Sequence, residues 1–508
     1  MPYSEFIDPS FSKWKVEQKS ASHYDICTPN QGLVIINDNK LDFWEGFASQ
    51  IHSTRMWLHS LSFLLHIDNV ETIDSIVSTF IETVNEKDAY TILSADHCAA
   101  VRLRTICVLF NKYKGDDNEN IKNIRTSLHN IAKKDLKWAL TDGTLKYNNH
   151  GLMLAIAALH YFRVCEAPDE ILEKKIFDFL FTLFDSVFDE YYLCNENTIG
   201  YHEFYFKTLR ELSRFLSVFY KDDILHINRI MSYRDNSLLA LNKVVYNCGG
   251  IPPIGDSGLY NTKYESVIGD HIFPESGLFV HKNKDFYFSL ICGCRSETHK
   301  HMDDTSITVR YKDIDLIVDS GVYNYDWTDK FRRCVQSQIG HSGVFFKKYD
   351  NLLRGEFTRK HNINAKMHKL NPCSTDFNIS CEYTIDDVNW VMRRVNKISN
   401  MRVDVVDSFS SKNQDDVVIR YIIPEYYDVS VHGAVVTIQH KSKNLSMRLE
   451  FSEVVEISCV KGEKAESYKG WLSKGFNHIE CSWCIEISPF IKEGVIITKL
   501  FISDSNHQ

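Results

Sequence analysis

The sequence predicts an α+β protein in which a helical first half is followed by a second half of antiparallel sheet. From about Phe43 to Lys243, apolar residues mostly recur at helical spacing. Glycine and proline then cluster between Asn247 and Gly258, where the chain reads NCGGIPPIGDSG and the helical period stops. Beyond this break, apolar residues alternate with polar ones, which is the period of half-buried strands. These observations place a domain boundary near residue 250 and predict domains over 1–250 and 251–508.

Several helices can be placed in the first half from the spacing of apolar residues. One stripe repeats at intervals of three and four residues and contains Ile176, Leu180, Leu183, Phe184 and Val187. A second stripe, of Leu152, Ile156 and Leu159, follows Gly151. Further helices are expected around 44–66, 98–112, 120–140 and 203–220. A succession of helices with modest connections suits antiparallel hairpins, arranged either as a bundle or as a toroid of helix pairs.

Two hairpins are predicted in the second half. Alternating apolar residues at 307–311 and 314–318 flank a turn at Lys312-Asp313. The same pattern at 429–431 and 436–438 flanks His432-Gly433. Antiparallel hairpins of this kind favour a β-sandwich.

Composition indicates a globular chain and excludes several functional classes. The 508 residues are 44% hydrophobic and 25% charged, and the net charge of −9 argues against general nucleic-acid binding. No apolar run approaches the length of a membrane span, and the N-terminus lacks the pattern of a secretory signal. We therefore expect a cytoplasmic protein, with periplasmic location or export by another route left open. The oligomeric state is not indicated.

The stretch from Thr298 to His341 carries the strongest chemical signal. Imidazole and carboxylate are ligands that zinc prefers, so His299 or His301 with Asp319 and His341 would form a metal site. If 299–301 is a strand, both imidazoles point to one face, whereas a bend would direct one to a metal and the other to a cleft.

Two further polar clusters precede apolar helices. In Tyr147–Gly151 the asparagines are either a helix cap or, with His150, a binding site for a carboxylate. In Glu196–Glu203 the Tyr201-His202 pair is either part of the core or a proton-exchanging group.

Together these motifs resemble the heparinase II/III-like polysaccharide lyases, a group that includes heparinases and oligoalginate lyases. The resemblance spans most of the chain and rests on the order of six motifs: Asn-Asn-His-Gly at 148–151, Glu-x-x-x-x-Tyr-His at 196–202, Pro-x-Ile-Gly-Asp at 252–256, His-x-His-x-Asp-x-x-Ser at 299–306, Val-Asp-Ser-Gly at 318–321, and an arginine followed by a histidine at 332–341.

The resemblance implies an incomplete (α/α) toroid followed by an antiparallel β-sandwich. It also implies a structural zinc ion held by His301, Asp319 and His341. The catalytic group that it implies consists of Asn149, His150, Tyr201 and His299.

The implied activity is that of a carbon-oxygen lyase. It would cleave an acidic polysaccharide or oligosaccharide by β-elimination and leave a 4,5-unsaturated uronate end. Tyr201 would serve as both base and acid if proton and leaving oxygen share one face, and a histidine would be the base if they do not. Two alternatives remain: a non-catalytic polysaccharide-binding or capsule-assembly protein, and a toroid glycoside hydrolase using carboxylates such as Asp142 and Glu196.

Overall fold

The computed structural model contains a helical region followed by antiparallel sheets, as the periodicity predicts. It describes residues 3–6, 14–28, 33–36, 57–86, 96–140, 145–258, 262–369, 377–453, 455–465 and 468–504. Seven long helices lie in the described part of the N-terminal half: α1 (Val70–Glu86), α2 (Asp96–Lys112), α3 (Glu119–Ala139), α4 (Asn149–Val164), α5 (Glu170–Val187), α6 (Ile199–Phe219) and α7 (Ile224–Val244). Two short helices follow in the second half, α8 (Lys330–Gln336) and α9 (Arg354–Phe357).

Most of the predicted helices agree with these bounds. The predictions over 98–112, 120–140 and 203–220 correspond to α2, α3 and α6. For the helix predicted around 44–66, residues 44–56 lie outside the described residues, and Ser62–His66 forms a 3-10 helix. A small sheet of β1 (Lys15–Ser20), β2 (His23–Cys27) and β3 (Leu33–Ile36) was not predicted.

The chain divides into two compact units. The first comprises residues 1–186 and 209–231, and the second comprises 187–208 and 232–508, so the division falls within α6 and α7. The boundary at residue 250 stays a prediction. Within the first unit, α2 packs against α3 and α4. A fully buried ion pair joins the first two of these helices, with Arg102 Nε 2.8 Å from Asp135 Oδ2.

The remaining strands, all in the second unit, form three principal antiparallel sheets. The first contains β4 (Gly269–Phe273), β5 (Leu278–Lys282), β6 (Phe286–Ile291), β7 (Ser306–Tyr311) and β8 (Ile314–Ile317), in that order. The other strands are β9 (Val344–Phe346), β10 (Ile363–Lys369), β11 (Asn378–Ile385), β12 (Asn389–Ser399), β13 (Arg402–Ser411), β14 (Val417–Pro424), β15 (Tyr427–His432), β16 (Val435–His440), β17 (Leu445–Phe451), β18 (Val455–Lys461), β19 (Trp471–Gly475), β20 (His478–Pro489) and β21 (Glu493–Asp504). The second sheet has the order β10-β11-β12-β13-β21-β17-β16-β15, and the third has the order β18-β20-β14-β9, with β19 also paired to β20. Both predicted hairpins are present, as β7-β8 and β15-β16.

The first sheet is buried on both faces, which explains its almost uninterrupted apolar strands. In β6, Phe288 and Leu290 enter the core shared with the large sheet. Tyr287 points to the opposite face and joins a second core with Leu241 and Val244 of α7. This alternation follows from the two-residue period of a strand. The loops that leave this sheet therefore start from a rigid base, and one of them carries the histidine motif.

Candidate active site and metal centre

The His-x-His motif lies in a turn after β6, so the strand alternative considered from the sequence is wrong. His299 lies in a turn and has a positive φ of 55°, so the backbone between the two histidines is not an extended strand. The side chain of Asn197 fixes this turn, because its Nδ2 donates to the carbonyls of Ser296 at 2.7 Å and Thr298 at 2.8 Å. The predicted bend therefore exists and separates the surroundings of His299 and His301.

Both histidines bind one buried carboxylate, that of Asp256. His299 Nδ1 donates to Oδ2 at 2.9 Å, and His301 Nε2 donates to Oδ1 at 3.0 Å. Gln336 Nε2, from α8, also donates to Oδ1 at 3.0 Å. Burial alone would raise the pKa of Asp256, but the hydrogen bonds from the two histidines hold it well below its usual value. Asp256 is therefore an ionised anchor for both imidazoles.

The segment that carries Asp256 is attached to the start of α6. Ser257 Oγ lies 2.6 Å from Thr198 Oγ1 and accepts a hydrogen bond from the Gly200 amide at 2.8 Å. Gly255 has a φ of +59°, and a Cβ at this position would lie 2.5 Å from the Asn197 carbonyl oxygen. Close backbone approach of this kind requires glycine. The same contacts therefore position both Asp256 and the residues just before Tyr201.

Tyr201 stacks on His299. Their ring centroids are 4.0 Å apart with an interplanar angle of 24°. The Tyr201 hydroxyl lies 3.2 Å from the hydroxyl of Tyr325. His299 donates through Nδ1 to Asp256, so the neutral form of the ring has its lone pair on Nε2. This Nε2 atom lies 3.6 Å from a carboxylate oxygen of Glu196. A phenol and an imidazole that can accept a proton thus lie side by side.

His301, Asp319 and His341 form a buried triad in the same unit. One candidate ligand atom from each residue lies within 4.8 Å of the others. His341 Nδ1 is 3.0 Å from Asp319 Oδ2. Burial would raise the pKa of Asp319, but the charge of His341 lowers it.

The chemistry of this triad fits a metal ion. Within the described residues, His301 Nδ1 and His341 Nε2 are buried and have no hydrogen-bond partner. The other nitrogen of each ring donates to a carboxylate, which leaves the lone pairs on these two atoms. A histidine ligand whose second nitrogen is held by a carboxylate is typical of zinc sites. Two imidazole nitrogens and one carboxylate are also a ligand set that zinc accepts.

Comparison with known proteins agrees with this geometry. Residues 269–487 match the family described as heparinase II/III-like, C-terminal. The matched segment resembles a heparinase II/III-like C-terminal domain. This confirms the resemblance inferred from the six motifs, while a search of curated proteins found no significant match.

Solved structures with a similar fold include two heparin-family lyases. A crystal structure of heparinase III is 11% identical, covers 92% of this chain and 80% of its own, and has a TM-score of 0.72. A heparan sulfate lyase HepC mutant from Pedobacter heparinus is also 11% identical, covers 99% of this chain and 83% of its own, and has a TM-score of 0.70. The predicted fold class, a toroid followed by a β-sandwich, is confirmed.

Asn149 and His150 lie in the first unit, at the start of α4. The helix cap is the preceding residue, Asn148, whose side chain accepts from the amides of His150 and Gly151 at 3.1 Å each. His150 is exposed, and its Nδ1 lies 2.9 Å from Asp96 Oδ1. The capping interpretation therefore applies to Asn148, and the catalytic assignment of Asn149 and His150 stays a prediction.

His202 is a structural residue. It is fully buried, accepts from the Cys194 amide at 3.1 Å and donates to the Ser237 carbonyl at 2.9 Å. Burial lowers its pKa to about 4. The neutral ring holds the start of α6 in place.

Sequence reasoning missed the role of Asp256 as the shared anchor, although the residue ends one of the six motifs. A signal was available, because Asp256 begins an Asp-Ser-Gly sequence identical to the one that begins at Asp319. The glycoside hydrolase alternative names two carboxylates, Asp142 and Glu196. Asp142 lies outside the described residues. Glu196 is buried and accepts from the Tyr205 hydroxyl at 2.6 Å.

No helix in the described residues is long and apolar enough to cross a membrane.

Proposed function

We propose that this chain is a polysaccharide lyase that cleaves an acidic, uronate-containing polysaccharide or oligosaccharide by β-elimination. The observation that carries the proposal is the stacked Tyr201–His299 pair anchored on Asp256, in a chain with a heparinase II/III-like C-terminal domain. The similar structures named above are a heparinase and a heparan sulfate lyase, which supports an acidic substrate.

The reaction requires removal of the C5 proton of a uronate and protonation of the departing O4. The Tyr201 hydroxyl would deliver the proton to O4. A histidine, His150 or His299, would accept the C5 proton when the two positions lie on opposite faces of the sugar, and Tyr201 would serve both steps when they share a face. Asp256 fixes the ring orientation of His299 for this role.

The substrate carboxylate must be neutralised for its neighbouring C–H bond to become acidic. Asn149, with His150 or with a protonated His299, would donate hydrogen bonds to that carboxylate and stabilise the enolate-like intermediate. For Asn149 and His150, this assignment rests on the sequence motif. A zinc ion at His301, Asp319 and His341 would be structural and would hold the segment that positions His299.

The test is incubation with a panel of uronate polymers and oligosaccharides containing glucuronate, iduronate, mannuronate or guluronate. We expect ultraviolet-absorbing 4,5-unsaturated ends from the wild type and none from Tyr201→Phe. Tyr205→Phe is the matched control, since it removes a nearby buried hydroxyl bound to Glu196 and should retain turnover.

The alternatives give different products. Reducing ends without a double bond would identify a hydrolase. Tight polymer binding that survives Tyr201→Phe, with no turnover by the wild type, would identify a binding protein of the same fold. A cytoplasmic location is part of the proposal, with imported oligosaccharides or nascent polymer as substrates.

A further inference from the structure

Arg332 is a buried cation whose charge the proposed mechanism does not use. Its side chain belongs to α8 and the residue is 2% exposed. Its Nη1 donates to the neutral Asn324 carbonyl at 2.5 Å. Within the described part of the chain, its Nε has no hydrogen-bond partner and no ion pair joins it to a carboxylate. A buried guanidinium without a carboxylate partner lowers the stability of the folded chain unless an anion binds to it.

Two aromatic rings flank this guanidinium. Its Cζ lies 4.2 Å from the ring centroid of Trp327 and 5.3 Å from that of Tyr325. Both rings are unusually exposed for their size, at 65% for Trp327 and 46% for Tyr325. Exposed aromatic faces next to a cation are surfaces on which a sugar ring can stack while its acidic group meets the charge.

The loop that presents these groups is already fixed. Asn324 Nδ2 donates to Asp329 Oδ2 at 3.1 Å, and Asp329 Oδ1 caps α8 by accepting from the Phe331 amide at 2.8 Å. Asp326 accepts from Thr328, so these two acidic side chains are engaged within the loop. The loop therefore needs little ordering to bind a ligand.

This group lies beside the candidate reaction centre. The Tyr325 hydroxyl is 3.2 Å from that of Tyr201, so the ring that covers Arg332 also contacts the proposed proton donor. Asp256 acts on Arg332 only through its charge, since no hydrogen bond joins them among the described residues.

We propose that Arg332, Trp327 and Tyr325 form a subsite for an acidic sugar next to the sugar that reacts. Arg332 binds a carboxylate or sulfate of that sugar, and Trp327 stacks on its ring. The inference takes one element from the proposed function, namely that the ligand is an acidic carbohydrate. Substrates would then need an acidic group on the neighbouring sugar as well as on the reacting one.

The experiment measures binding rather than turnover, so that its failure is distinct from failure of the lyase proposal. In a Tyr201→Phe background, dissociation constants are measured for uronate tetrasaccharides, their carboxyl-reduced forms and sulfated counterparts. Arg332→Gln should weaken binding of acidic ligands by at least about tenfold, because hydrogen bonds to charged groups are strong, and should leave the carboxyl-reduced ligand unaffected. Trp327→Ala should weaken binding of both forms.

Arg333→Gln is the matched control. Arg333 is the neighbouring arginine, but it is engaged by Glu356 at 2.9 and 2.8 Å and should not affect binding. A larger effect on sulfated ligands would identify sulfate as the bound group, and an equal effect would identify carboxylate. Equal losses for acidic and reduced ligands in Arg332→Gln, or no loss in either Arg332→Gln or Trp327→Ala, would overturn the subsite. Because Trp327 is exposed, its variant remains informative if Arg332→Gln unfolds.

Discussion

Asp256 holds His299 through one carboxylate oxygen, 2.9 Å from Nδ1, while its other oxygen holds the candidate metal ligand His301 at 3.0 Å. One side chain therefore sets the tautomer and orientation of both imidazoles. Because the contacts are direct, a change at Asp256 should affect two properties that are otherwise separate, metal binding and turnover.

The first prediction concerns Asp256→Asn. An asparagine offers one acceptor and one donor, so one of the two imidazole N–H groups would face an amide N–H. We expect both metal affinity and turnover to fall by about 10–100-fold, the range typical of partners that orient metal ligands. Metal content and initial rates of product formation would be measured together. Asp270→Asn, which alters another carboxylate–imidazole pair at His281, should change neither.

The second prediction concerns the metal triad. His301→Ala removes a buried nitrogen donor and should abolish stoichiometric zinc in elemental analysis. A chelator should lower the unfolding temperature of the wild type, since a bound metal stabilises only the folded chain, and should leave the variant unchanged. His368→Ala, at a half-exposed histidine bound to Glu382, is the control. Equal zinc content in His301→Ala and wild type would remove His301 from the site.

The third prediction concerns the turn that carries His299. Asn197→Gly removes both hydrogen bonds to this turn but tolerates the positive φ of 58° at this position. We expect a loss of about 1–3 kcal/mol in the free energy of unfolding and a lower kcat with unchanged metal content. Asn247→Gly removes a comparable bond to the Asn283 carbonyl and should preserve kcat. Loss of metal from Asn197→Gly would contradict a role confined to His299.

The fourth prediction concerns pH and His202. Its pKa is about 4 in the folded chain because it is buried, and about 6.5 in an unfolded chain. Between these values the unfolded chain binds a proton at His202 that the folded chain does not bind. The contribution of neutral His202 to the free energy of unfolding is therefore complete above pH 6.5 and decreases as the pH falls towards 4. Lowering the pH from 7 to 5 should therefore reduce the free energy of unfolding by about 2 kcal/mol because of His202. Urea unfolding of the wild type and of His202→Gln at pH 7 and pH 5 would measure this change. An equal change in the free energy of unfolding for both proteins would contradict the prediction.

The sequence by itself determined the fold class and the members of the candidate metal triad. Strand and helix periods are local properties, so the hairpins at 307–317 and 429–438 were visible without tertiary information. The order of the six motifs indicated the resemblance, and this named His301, Asp319 and His341 as a set.

Only the tertiary structure decided how the site is connected. Asp256 lies more than forty residues before the two histidines that it binds, and Tyr201 is almost a hundred residues from the ring on which it stacks. No local period encodes contacts at such separations. The turn at His299 depends on a hydrogen bond from Asn197, and the burial of His202 depends on Ser237. The sequence therefore named the candidate site residues, and packing decided which of them meet.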